Sequence, residues 1–395
     1  MSTESPIDIA GIIRAIRAAT GTADKRVALH EPCFAGNEWD YVKDCLDSGW
    51  VSSAGTYVDR FESMIREYTG IEGVVAVVNG TAALHVCLHL SGVGLNDEVL
   101  VPSLSFVATA NAVTYCGAVP HFVDVDDRTL GIDPSGLADY LAEICEIRYG
   151  SCFNHISGRT IKAVVPMHTF GHPVDLDALA EVCLRFGIIM VEDAAESLGS
   201  YYKGKHTGYR GYCSALSFNG NKTVTTGGGG AILTPDSGLA ERARHITTTA
   251  KQAHPWEFYH DFVGYNYRMP NLNAALGCAQ LEQLPRFIRN KRALAARYQE
   301  AFQSVRGVNL FCEPEYGVSN YWLNTLILDV DDVECRLALL QRLNDEGIMA
   351  RPVWMPLHKL PMYNTCPRMD LTVTERLAMR LVNIPSSPSL GEPHA

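Results

Sequence analysis

The sequence has no Cys-x-x-Cys pair, no block of like charges, no internal repeat and no apolar run long enough to cross a bilayer. Each absence removes a class of protein. Twelve cysteines are present, but they are scattered from Cys33 to Cys366. That spacing excludes a zinc ribbon or a disulfide framework, and it suits small apolar side chains in a reducing compartment. Basic residues are in deficit, 33 Lys and Arg against 44 Asp and Glu, for a formal charge of −11. No nucleic-acid footprint is expected from that balance, although a helix N-terminus can hold a small anion whatever the net charge. The missing apolar run excludes a membrane-spanning helix. Met1-Ser2-Thr3-Glu4-Ser5-Pro6 has neither a basic segment nor an apolar one behind it, so a cytoplasmic protein is expected.

What is present is a chain of 395 residues, 47% of them hydrophobic, long enough for a large core and two lobes. Residues 7–19 carry apolar positions at helical spacing and read as a separate amphipathic helix packed on the body. Helices are also expected over 37–48 and from 56 to 68. From residue 74 the pattern alternates. Strands are expected at 74–78, 98–101, 119–123, 161–165, 188–192, 215–218 and 231–234, with helices at 82–90, 106–115 and 176–186. This βαβ order predicts a mostly parallel sheet covered on both faces, with ligands at the carboxyl ends of its strands. After Pro270 a helix should run to about residue 305. Strands at 320–328 and 348–353 and helices at 333–346 and 373–381 then make a smaller α+β lobe.

The chemistry centres on Ser217-Phe218-Asn219-Gly220-Asn221-Lys222, followed by Thr223 to Thr226 and four glycines, Gly227 to Gly230. A lysine becomes a nucleophile where its pKa is lowered or where a carbonyl cofactor captures it as an imine. Ser217 offers a hydroxyl for an anion beside it, and the glycines let backbone approach a bulky ligand. Taken alone, such a segment is more often a solvated lysine before a flexible turn. Asn79-Gly80-Thr81-Ala82 joins a strand to a helix, where free N–H groups cradle an anion, or where Thr81 is a plain N-cap. Asp193 ends a strand and could pair with a protonated ring nitrogen, or cap a short helix. Phe106 could stack on a flat ring or fill the core.

Two apparent motifs are decoys. Gly199-Ser200-Tyr201-Tyr202-Lys203-Gly204-Lys205 approaches a phosphate loop, but His206 stands where Ser or Thr is required. His168 and His172 have metal-like spacing, yet Gly171 and Pro173 make the segment a turn, so no metal is expected. Together, the remaining signals match the needs of pyridoxal 5′-phosphate.

Glu192-Asp193-Ala194-Ala195-Glu196-Ser197-Leu198-Gly199, the lysine segment from Leu216 to Gly230, the stretch Gly264 to Gly277 and Arg351-Pro352-Val353-Trp354 through Tyr363 resemble the DegT-type nucleotide-sugar aminotransferases. The resemblance covers residues 26–385. It implies an α/β fold, the fold type I of pyridoxal 5′-phosphate transferases. The expected divisions are an N-terminal helical extension (1–30), a large cofactor-binding domain (31–270) and a small C-terminal domain (271–395).

By position, the resemblance makes Lys222 the lysine bonded to the cofactor and Asp193 the partner of its ring nitrogen. Phe106 becomes the stacking ring, Thr81, Ala82 and Ser217 the phosphate ligands, and Glu196 a neighbour of the ring hydroxyl. Asn266 would reach the neighbouring subunit's phosphate, which implies a homodimer with shared sites. Relatives that dehydrate sugars carry His at the lysine position, so Lys222 favours amino transfer. The implied substrates are glutamate and a nucleotide-linked ketosugar. Glu196, Asn219-Gly220-Asn221, the four glycines and the N-terminal extension resemble the branch acting at C4 of UDP-2-acetamido-4-keto-2,6-dideoxyhexose. GDP-4-keto-6-deoxymannose and dTDP-ketosugars are the alternatives, and a silent regulatory relative is the non-enzyme one.

Overall fold

A computed structural model describes residues 6–23 and 25–392. The opening Met1 to Ser5, on which the leader reading rested, lies outside the described residues. Helix α1 (Ile9–Thr20) is capped by Asp8, whose Oδ1 accepts the Gly11 N–H at 2.8 Å. The main sheet takes β1 (Gly73–Val77), β2 (Glu98–Pro102), β3 (Val119–Val123), β4 (Arg159–Val164), β5 (Ile189–Asp193), β6 (Cys213–Ser217) and β7 (Gly230–Thr234) in the order β1-β7-β6-β5-β4-β2-β3. The pairs within β6-β5-β4-β2-β3 are all parallel, and β7 runs antiparallel between β1 and β6. Every residue of β1, β2 and β7 is buried, as a sheet covered on both faces requires. The carboxyl ends of β1, β5 and β6 therefore open on the same edge. Helix α2 (Gly80–Leu90) leaves from the end of β1, and helix α3 (Val107–Tyr115) follows β2.

Helix α4 (Asn271–Phe302) spans 32 residues and belongs to two cores. Its first half places Ala274, Cys278, Leu281 and Leu284 against Phe61 and Phe218 under the sheet. Its second half places Leu294, Tyr298 and Phe302 in the core of the smaller lobe, where Ile12 and Ile16 of α1 join them. The two halves meet near Pro285, which has no N–H to donate into the helix ladder. The smaller lobe is built on a sheet ordered Val308–Leu310, Asn324–Leu328, Leu381–Ile384 and Arg351–Pro352.

Several expected elements are shorter or differ. The 320–328 strand begins only at Asn324. Before it, the Asn320 side chain donates to the Glu196 and Leu198 carbonyls and accepts from Trp322 N, and Tyr321 turns to φ +48°. The 348–353 strand shrinks to Arg351–Pro352, where the proline lacks a ladder donor. No helix follows Asp193, and α2 is capped by Asn79, not by Thr81. The phosphate-loop lookalike is a hairpin whose His206 Nε2 accepts from Gly199 N at 2.9 Å. Helices Pro134–Ile144 and Ser237–Thr247 and the hairpin Cys145–Asn154 went unread in the sequence. All twelve cysteines are unpaired, six of them buried and the rest half-buried.

The β7–α2 contact is tight enough to test. A Cβ at Gly230 would lie 2.5 Å from the Asn79 carbonyl carbon and oxygen and 2.7 Å from Gly80 N. Only backbone is there to yield. Gly230→Ala should therefore lose about 1–3 kcal/mol of unfolding free energy in urea, the usual cost of overpacking, and an unchanged midpoint would contradict this packing.

Candidate active site

At the open edge of the sheet lies a cavity of about 310 Å³. It brings together Thr81, Phe106, Asp193, Glu196, Ser217 and Lys222, six of the residues singled out from the sequence. Each arrives by a short chain path. Asp193 and Ser217 end neighbouring parallel strands, Thr81 opens α2, and Phe106 is the N-cap residue of α3. The expectation of free N–H groups holds only in part, because the Ala82 N–H donates to Asn79 Oδ1 at 2.8 Å and Ala82 does not line the cavity. Asn266 lies elsewhere, exposed and bridged to Thr248.

Lys222 stands at the centre. Its side chain is 14% exposed and donates from Nζ to Glu196 Oε1 at 3.2 Å. The ammonium also lies 3.8 Å from the centre of the Trp322 indole, a cation–π contact, and Trp322 Nε1 donates to Asn221 O at 2.7 Å. Glu196 is 4% exposed, and its Oε2 accepts the Phe170 N–H at 2.9 Å. Burial outweighs the Lys222 charge and these hydrogen bonds, pushing its carboxyl up to about 7.

Asp193 is 3% exposed, with Oδ2 accepting from Thr109 Oγ1 at 2.8 Å and Oδ1 from Ala195 N at 3.2 Å. Burial raises its pKa against the help of Thr109, Ala195 and Lys222. Phe106 is 49% exposed, and Trp354 stands 6.3 Å from it between ring centres. Trp354 in turn lies 5.1 Å from Phe170, a residue held at φ +55°.

These residues fit pyridoxal 5′-phosphate. A buried carboxylate oriented by a hydroxyl and an N–H complements a protonated ring nitrogen. Phe106 leaves half its surface free beside it. Among the described residues neither the Thr81 nor the Ser217 hydroxyl is bonded, and both line the cavity at the positive end of α2. A Cβ on Gly80 would lie 2.9 Å from Ser217 Cβ, so glycine is what lets that anion cradle close. No metal cluster occurs among the described residues. His168 pairs with Glu192 at 2.9 Å, and His172 packs among Phe311 and Tyr321.

Trp322, Trp354, Met167, Asn219 and Asn221 also line the cavity. Trp322 and Trp354 had no role in the sequence reading. Their signal was weak: both lie in the C-terminal segment, far in sequence from Lys222, and nothing local marks them as facing it.

Sheet, cavity and lysine define a fold type I pyridoxal 5′-phosphate transferase. Residues 32–395 match the DegT/DnrJ/EryC1/StrS aminotransferase family, and the chain belongs to it, a family of pyridoxal 5′-phosphate enzymes acting on sugars. A GDP-perosamine synthase of Escherichia coli O157:H7 is 37% identical over 367 residues, 93% of this chain and 95% of that one. A GDP-perosamine synthase of Caulobacter vibrioides is 36% identical over 370 residues, again 93% and 95%. The aminotransferase TlmJ from Streptoalloteichus hindustanus superposes with a TM-score of 0.82 at 32% identity, covering 92% of this chain and 94% of that chain. No described helix is long and apolar enough to cross a membrane.

The Glu196 carboxyl gives a pH test in the cofactor-free protein. Its folded pKa, about 7, lies above its ordinary value of 4.5. Between those values the folded state binds more protons than the unfolded state. Glu196 therefore lowers stability as pH rises through that window, by on the order of 2–3 kcal/mol once above 7. Glu196→Gln removes the titration. Urea unfolding at pH 5 and pH 8 should show the variant gaining on wild type as pH rises; a variant that loses ground would refute the buried-carboxyl account.

Proposed function

We propose that the protein moves an amino group from glutamate to C4 of a nucleotide-linked 4-keto-6-deoxyhexose. The observation that carries this is the Lys222 amine, seated between buried Glu196 and the cavity that Asp193 floors. Bound pyridoxal 5′-phosphate supplies an aldehyde that captures amines and a ring that takes up electrons when an adjacent C–H bond breaks. With that group bound, Lys222 Nζ would hold it at its aldehyde carbon and, once freed, would take the proton at the donor's α-carbon. It later returns a proton to sugar C4 from the same face. Glu196 Oε1 steers Nζ by accepting its hydrogen bond. Asp193 holds the proton on the ring nitrogen, with Thr109 and Ala195 fixing the carboxylate plane. Ser217, Thr81 and the α2 N-terminus hold the phosphate, and Phe106 covers one ring face.

Two acceptors have separate support. The relatives named GDP-perosamine synthase favour GDP-4-keto-6-deoxymannose. Glu196, Asn219 and Asn221, the residues resembling the UDP-linked branch, lie around Lys222 in the cavity, and they favour UDP-2-acetamido-4-keto-2,6-dideoxyhexose. The common element, a 4-keto-6-deoxy sugar on a nucleotide, is the assignment made here. Offered both acceptors with glutamate, the enzyme should release one 2-oxoglutarate per 4-amino sugar formed with at least one of them. Failure on both, with turnover of a 3-keto sugar instead, would overturn it. The ratio of kcat/KM values then assigns the nucleotide.

We extend the reading to a homodimer whose sites take Lys222 from one subunit and Asn266 from the other. Its support is the exposed position of Asn266 in a segment that also exposes Trp256, Phe258 and Phe262. Lys222→Ala and an inactivating Asn266 substitution should each be poor enzymes alone. Unfolded together and refolded, they should regain activity, because mixed dimers carry one site with both native residues. No recovery would place Asn266 in its own subunit's site or outside both.

A further inference from the structure

The hairpin Cys145–Asn154 hangs from the first half of β4, where Cys152, Phe153 and Asn154 pair antiparallel with Ile161, Thr160 and Arg159. It therefore lies at the amino ends of the parallel strands, the edge opposite the lysine cavity. Among the described residues its outer strand, Cys145–Arg148, pairs with Ser151–Asn154 and with nothing else, so its far side is an open sheet edge. Tyr149 and Gly150 make the turn, at φ +51° and +78°, between the paired Arg148 and Ser151. A two-residue turn of this kind closes on a hydrogen-bonded pair, and such pairs alternate along an antiparallel ladder. Arg148 and Glu146 consequently turn their backbone groups inward, and so does Ile144, whose carbonyl accepts from His155 N at 3.0 Å. Ile147, between them, turns both its N–H and its C=O outward.

Native sheets commonly guard such an edge with lysine, proline or a bulge, and this strand has none of the three. Ile147 is 51% exposed and Tyr149 fully so. Both alternate onto the face where Cys152 packs with Cys183 and Phe186 of the helix Leu176–Phe186, and Leu184 of that helix is 86% exposed. Such an apolar surface around an open edge suits a docked strand. The two charges of the strand, Glu146 and Arg148, are of opposite sign and pair with each other along it.

We propose that the occupant of this edge is a second copy of the chain, paired strand against strand about a two-fold axis through Ile147. In that register Ile147 exchanges two backbone hydrogen bonds with its own counterpart, and Glu146 of each copy faces Arg148 of the other. A slip of two residues one way sets Glu146 against Glu146, and the other way Arg148 against Arg148. Opposite charges directly across a ladder stabilise it and like charges destabilise it, so the charge pattern selects the self-paired register. The contact is remote from the segment around Asn266 and doubles whatever unit the rest of the chain forms.

Sedimentation at concentrations up to tens of micromolar tests this. Glu146→Arg and Arg148→Glu each set like charges across the two-fold, so each variant alone should fall to half the wild-type mass. Mixed one to one, the two variants meet with opposite charges and should return to the wild-type mass. Ile147→Pro removes the outward N–H while leaving the ladder to Ser151–Asn154 intact, and it should also halve the mass. Turnover per subunit should stay within twofold of wild type in all three. A wild type no heavier than the variants would overturn the proposal. So would a mixture that stays at half mass, because the strands would then not meet in this register. All three positions are exposed, and failure of one variant to fold leaves the mass of the other two to decide.

Discussion

The ion pair between Lys222 and Glu196 is the contact on which the site's arrangement depends. Taking both groups out of water costs several kcal/mol per ion, and the pair repays this only where further hydrogen bonds complete it. Glu196 has one such bond, from the Phe170 N–H at 2.9 Å. That bond falls on a residue held at φ +55°, a conformation costing a non-glycine residue about 1–3 kcal/mol. The carboxylate thus does two things at once. It steers the lysine amine, and it helps hold a strained turn whose aromatic ring supports Trp354 at the cavity wall. With its pKa near 7, the same carboxyl can change charge near neutral pH.

The parallel sheet makes this pair possible. Because β5 and β6 run parallel as neighbours, their carboxyl ends deliver Asp193 and Ser217 side by side, and the antiparallel β7 returns the glycine-rich segment beneath α2. Gly230 lets backbone touch backbone at the start of that helix. A helix N-terminus, a hydroxyl and a buried carboxylate then converge without any long loop having to be ordered, which limits the entropy the site must overcome.

What could be read from the sequence follows from how local each signal is. Lys222, Asp193, Ser217 and Thr81 sit at strand–loop junctions within the alternating region, where burial pattern and turn residues mark both the element and its end. The 119–123 strand and the 176–186 helix match the structure's bounds, the helix because the Asp175 cap and the left-handed Gly187 mark its two ends. The second half of the chain was harder. The 320–328 stretch reads as one β-prone run, but Asn320 spends its side chain on the Glu196 and Leu198 carbonyls and breaks the strand. Periodicity carries no trace of a hydrogen bond to a carbonyl more than a hundred residues away. Neither Trp322 nor Trp354 has a local signal for this cavity, for the same reason, since only the folded chain brings them to it. The asparagine cap at Asn79 was legible in principle. Asn is a stronger N-cap than the Thr81 considered for that role, and it stands immediately before the helix.

The two lobes meet in the site through a second lysine. Lys291, in the later half of α4, is fully buried, and burial alone drives its pKa well below the ordinary value. Its Nζ donates to two carbonyls, Trp322 O at 3.1 Å and Ser386 O at 2.5 Å. Trp322 is the residue whose indole lies under the Lys222 ammonium. A helix anchored in both cores therefore fixes, through the Lys291 amine, the aromatic surface on which Lys222 rests. A methionine there would fill similar space but leave two buried carbonyls without donors. The need to satisfy both carbonyls accounts for a lysine at this depth.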